Sequence, residues 1–77
     1  MMKKGLLWFD NDRGRDLAQK VKRAARRYER KFGCRPNVCY VHPSVLNGNS
    51  RRVGSVRLEP LQSVLRDHFW VGEEREN

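Results

Sequence analysis

The chain of 77 residues carries 17 Lys plus Arg against 9 Asp plus Glu, a formal net charge of +8. A chain this short is expected to form one domain over residues 1–77, burying only about 60% of the surface its unfolded form exposes, with no room for a large cleft between lobes. Its longest uncharged apolar run, Gly5 to Phe9, is far below the roughly 20 residues a membrane span needs, and Asp10 follows too closely for a secretory leader.

Gly5-Leu6-Leu7-Trp8-Phe9 is apolar at every position and reads as a short strand buried on both faces. Asp10-Asn11-Asp12 ends it, with Asp12 as the expected helix N-cap and Asp16 favourable in the first turn. A helix is predicted from about Arg13 to Phe32, because Leu17, Val21, Ala24, Tyr28 and Phe32 recur at helical spacing. Such a rod spans roughly 30 Å. Gly33 supplies a left-handed C-cap, and Pro36 cannot continue the helix.

Asn37 to His42 is β-branched and aromatic and reads as a second strand, closed by Pro43. Strand, long helix and strand make a βαβ unit, for which parallel pairing of the two strands is expected. Ser44-Val45-Leu46 is compatible with one turn, and residues 47–52 form a polar loop without periodicity, expected to be the most mobile segment. Val53 to Leu58 alternates as one half-solvated strand should. In the tail, Leu61, Val64, Leu65 and Phe69 fit a helical stripe, whereas Phe69-Trp70-Val71 reads as a strand before the acidic end at 73–76. The strand is favoured by its aromatic and β-branched character. The expected fold is therefore α+β, a βαββ(β) domain with one amphipathic basic helix on one face of a mixed sheet of three or four strands.

Charge is not spread evenly over this plan. Residues 13–35 hold ten basic and two acidic side chains, and the rest of the chain holds seven of each sign. The whole net charge thus belongs to the helix and its flanks. On a helical wheel, Arg15, Lys20, Lys22, Arg23, Arg26, Arg27, Arg30 and Lys31 fill the half opposite the apolar stripe. Like charges three and four apart repel by a few tenths of a kcal/mol each. Lys20, Arg23, Arg26, Arg27, Arg30 and Lys31 are the candidate nucleic-acid contacts, held to the phosphate backbone of DNA or RNA with no base-reading element beside them. A solvated face is the rival reading. A membrane-surface helix is not expected, because its apolar stripe is committed to the sheet.

Other chemistry is sparse. Asp10 and Asp12 stand at a strand end, where open α/β folds place ligands, and could pair on Mg²⁺ in a nuclease, a remote alternative. Asp10-Asn11-Asp12-Arg13-Gly14 resembles the Asp-x-Asp opening of haloacid-dehalogenase-like phosphatases over these residues alone. The strand-end Asp also resembles that of the small CRISPR integration subunit, a ferredoxin-like protein with basic helices, whose second long helix has no counterpart here. Cys34, Cys39, His42 and His68 could in principle form a zinc set, but Cys34 sits in a loop and Cys39 and His42 project from opposite faces of one strand, so free cysteines and surface histidines are expected. No Gly-rich phosphate loop or nucleophile elbow occurs, so no enzyme, resident metal or cofactor is expected. Two cysteines are too few for a disulfide framework, which places the protein in a reducing cytoplasm.

A final expectation comes from counting faces. One helix covers one side of a sheet, yet Trp8, Tyr40 and Trp70 cannot all lie beneath it. These three mark an apolar sheet face expected to be covered by the irregular 43–52 and 59–66 segments, by a second copy in a homodimer, or by a partner chain. The leading expectation is a cytoplasmic nucleic-acid-binding accessory protein, dimeric and non-enzymatic. The alternative is an interaction module that docks through that face.

Overall fold

Residues 2–48 and 50–74 are described by a computed structural model, the side chains of Met2 and Lys3 excepted; Asn49 of the polar loop and Arg75 and Glu76 of the acidic end lie outside them. The elements are β1 (Met2–Phe9), α1 (Leu17–Phe32), β2 (Val38–Val41), a 3₁₀ turn at Pro43–Leu46, β3 (Arg52–Val53), β4 (Val56–Pro60) and β5 (His68–Glu74). They form an α+β fold with a mixed sheet of five strands, in the order β1-β5-β2-β4-β3, rather than the three or four expected. No helix among the described residues is long and apolar enough to cross a membrane.

The helix starts later than the stripe suggests. Gly14 interrupts the first predicted turn, and Asp12 uses Oδ1 to accept the Gly14 N–H at 2.7 Å instead of capping. The cap is Asp16, which accepts from the Gln19 N–H at 2.8 Å while Gln19 Oε1 accepts the Asp16 N–H, a reciprocal capping box. Sixteen residues remain, a rod of roughly 24 Å. Gly33 closes it at φ 74°, donating its N–H to the Glu29 carbonyl.

β1 and β2 run in the same direction but do not pair. β5 lies between them, antiparallel to both, so the expected βαβ unit is split. The physical reason is burial. Phe69, Val71 and Gly72 are all buried in β5, which suits an interior strand, whereas Leu7 and Phe9 of β1 are each 55% exposed and suit an edge. β1 is therefore not the doubly buried strand its composition implied. The single strand expected at 53–58 is instead a hairpin, in which Val53 faces Val56 across Gly54-Ser55. Gly54 provides the positive φ, 58°, that a two-residue primed turn requires at its first position. β4 then runs parallel to β2. In the tail, Leu61, Val64 and Leu65 form two turns instead of a helix, and β5 follows as a strand.

The main core is on the helix side of the sheet. Val21, Ala24 and Tyr28 of α1 pack over Cys39, Val41, Leu58, Phe69 and Val71, with Leu46 of the 3₁₀ turn and Val56 at one end. Burying each large apolar side chain contributes roughly 1.5–3 kcal/mol, which makes this cluster the main source of stability. Strand registers set the two faces. Trp8 pairs with Phe69 and Leu6 with Val71, facing α1, while Leu7 pairs with Trp70 and Trp70 with Tyr40 on the open face.

Candidate nucleic-acid interface

Helical periodicity puts Lys22, Arg23, Arg26, Arg27, Arg30 and Lys31 on the solvent side of α1, all exposed, with Lys20 half-buried. None of Lys22, Arg23, Arg26, Arg27 and Arg30 forms an ion pair among the described residues. Glu29, the acid in their midst, is paired with Arg35 at 3.4 Å. At the C-terminal end of the row, Lys31 and Lys4 of β1 sit 5.5 and 5.7 Å from the Phe32 ring centre, so their ammonium groups extend the cationic surface onto the sheet edge.

The structure separates the three aromatic residues expected on one face. Tyr40 and Trp70 are neighbours on the open face, but Trp8 is on the helix side, partly buried against the core. The correction has a simple cause. Every side chain from Leu6 to Phe9 is apolar, so composition could not say which alternate set faces the helix. There Trp8 joins Arg23, Arg26, Arg27 and Arg30 as the lining of a cleft of about 250 Å³. Its Nε1–H is buried and has no hydrogen-bond acceptor among the described residues. Sequence reasoning found the four arginines and missed the indole, along with Lys4. On the other flank of α1, Lys22, Arg26, Glu29 and Arg35 line a second groove of about 310 Å³ against the β3–β4 hairpin.

Arg15, Arg35 and Arg57, by contrast, are committed to acids. Arg15 bonds both oxygens of Asp10, Nε to Oδ2 at 2.9 Å and Nη2 to Oδ1 at 3.1 Å, and its Nη1 reaches Asp12 at 3.1 Å. Asp10 is 5% exposed, and its Oδ1 also accepts the Asp12 N–H. The Arg15 guanidinium holds the Asp10 carboxyl below its ordinary range against the opposing effect of burial. The two carboxylates expected as a possible Mg²⁺ pair thus already share the Arg15 cation. On the open face, Arg57 bonds Glu59 and Glu74, each at 2.7 Å, and Glu74 also accepts from the Tyr40 hydroxyl. That hydroxyl bond is the largest influence lowering Glu74, and it raises Tyr40 in turn.

The cysteines and histidines do not assemble. Cys34 donates to Glu73 Oε2, which also accepts from Tyr28, and this bond together with burial raises the thiol above its ordinary value. Cys39 lies in the core, where burial pushes it up to about 12. Both shifts favour the thiol over the thiolate, the form that attacks a substrate. His42 Nδ1 caps the 3₁₀ turn, accepting the Ser44 N–H, and His68 Nδ1 donates to the Arg66 carbonyl. Both histidines line a depression of about 280 Å³ with Lys20 and Asp67. Among the described residues, no group of three or more His, Cys, Asp and Glu could hold a metal ion.

The open face has two halves. One is the polar network of Tyr40, Arg57, Glu59 and Glu74. The other is an apolar groove of about 330 Å³ lined by Leu7, Trp70, His68 and the 61–65 turns, whose Leu61 and Leu65 are exposed. The turns after β4 thus cover part of this face, as one expectation had it. The 43–52 segment instead sends Leu46 into the core beneath α1. No family model matches this chain, and no curated protein or solved structure is significantly similar to it.

Proposed function

We propose that this protein is a non-enzymatic nucleic-acid-binding accessory protein of the cytoplasm, which holds the phosphate backbone of DNA or RNA along α1. The observation that carries this reading is the row Lys22, Arg23, Arg26, Arg27 and Arg30, exposed and unpaired on one helix among the described residues. Arg15, Arg35 and Arg57 each have a carboxylate within 3.4 Å or less. Repulsion along the row is an energetic cost that polyanion binding relieves. Arginine also suits the task, since its planar fork matches phosphate oxygens in pairs.

The test is a binding series with labelled 20-mers as salt rises from 50 to 200 mM. About four phosphate contacts correspond to a slope near −3.6 in log K against log salt, hence a loss of roughly 100-fold over that range. Absence of binding at 50 mM overturns the reading. A second reading, a homodimer, is favoured by Leu7, Phe9, Leu61 and Leu65, which are exposed about the apolar groove. Light scattering on the wild type and on Phe9→Asp decides it: a dimer that the substitution dissociates supports it, and a wild-type monomer removes it.

A further inference from the structure

We infer that the cleft between Trp8 and the arginine row takes one nucleotide of a single-stranded nucleic acid, its phosphate on the guanidinium groups and its base against the indole. This rests on the nucleic-acid reading above and specifies its ligand. The lining is Trp8 with Arg23, Arg26, Arg27 and Arg30, and no acid contributes to it among the described residues. In hydrogen-bonding terms it consists of donors alone. A guanidinium has five N–H groups and no acceptor, and the indole has one N–H, which here is buried without a partner among the described residues. The guest that such a site lacks is anionic and rich in acceptor oxygens.

The indole narrows the class further. An inorganic anion or a sulfated sugar has no flat π face to place against it, whereas every nucleobase has one. An aromatic side chain inside a cationic groove is the arrangement that single-strand binders use. Trp8 belongs to β1 and is partly buried under α1, so it lies deeper than the arginine tips. In a duplex the bases are stacked on one another and only phosphates face outward. A base reaches an indole at that depth only from an unstacked strand. The cleft volume of about 250 Å³ admits one nucleotide unit rather than a helix.

The experiment measures affinities at 50 mM salt for deoxythymidine and uridine 20-mers and for a 20-base-pair duplex, using wild type and Trp8→Leu. Either single strand is expected to bind more tightly than the duplex. Trp8→Leu lowers single-strand affinity by 5- to 150-fold, the worth of one stacked base, and leaves duplex affinity unchanged. In the Trp70→Phe protein, Trp8 is the sole tryptophan, and its emission falls as single strand is added. This measurement decides the matter if Trp8→Leu does not fold. Equal affinity for strand and duplex, insensitivity to a folded Trp8→Leu, or unquenched emission with strand bound overturns the inference while backbone binding stands. If no nucleic acid binds at all, the underlying reading fails and the inference with it.

Discussion

Arg15 and the arginines of α1 are chemically identical and close in sequence, yet they occupy opposite electrostatic situations. Arg15 is held by Asp10 and Asp12, and its charge stabilises the junction between β1 and the helix. Arg57 is held likewise by Glu59 and Glu74 at the other end of the sheet. Arg23, Arg26, Arg27 and Arg30 have no such partners and converge on Trp8. The lesson is that net charge says little about function until it is divided into charge the fold consumes and charge it leaves over. Here the paired arginines belong to the architecture, and the densest run of surplus charge lies on one helix face, with Arg13, Arg51, Arg52 and Arg66 unpaired outside it among the described residues.

That division can be broken or sharpened by substitution. The largest effect on the fold is expected from Asp10→Asn, which leaves the Arg15 guanidinium without its buried counter-charge. Thermal melts should fall by roughly 5–15 °C, with nucleic-acid affinity unchanged. The same substitution tests the pH dependence. Asp10 and Glu74 are both lowered in the folded state, so their contribution is complete above the unfolded carboxylate values near 4 and is lost as pH falls through the folded ones. Wild-type stability should therefore drop on acidification below about pH 4, and Asp10→Asn should flatten the drop. An unchanged acid profile would show that Asp10 is not held below its ordinary range in the folded protein. Arg57→Met should cost only a few degrees, because solvent reaches a third of that side chain and screens its pairs. The smallest effect on the fold belongs to Arg23→Ala, Arg26→Ala, Arg27→Ala and Arg30→Ala combined. Melting should stay level or rise slightly, since repulsion is relieved and alanine favours helix, while binding at 200 mM salt disappears. A large loss of stability in that variant would place these arginines in the architecture after all.

Helical features were the readable part of this chain. The stripe from Leu17 to Phe32, the Gly33 cap and the arginine row all follow from local periodicity, and the structure retains each. The Asp16-x-x-Gln19 box lies in the sequence beside a competing cap, Asp12, whose Oδ1 instead accepts the Gly14 N–H in the folded chain. Strand order was not legible, because placing β5 between β1 and β2 depends on pairings across thirty residues or more, such as Tyr40 with Trp70 and Trp8 with Phe69. The site divided the same way. Its cationic half has a helical period, whereas its aromatic half is one of four consecutive apolar residues whose facing is set by register alone.

The central position of β5 has a consequence for the order in which the molecule can assemble. β1, α1 and β2 all leave the ribosome before the strand that joins them in the sheet. At 5–20 residues per second, the stretch between the end of β2 at Val41 and the start of β5 at His68 takes roughly 1–5 s to synthesise. For that interval β1 has no strand partner, and the backbone edges of β1 and β2 that β5 later pairs with are unfilled. Native pairing is thus deferred to the last strand to emerge, and the nascent chain passes through a stage in which its basic helix is complete while its sheet is not.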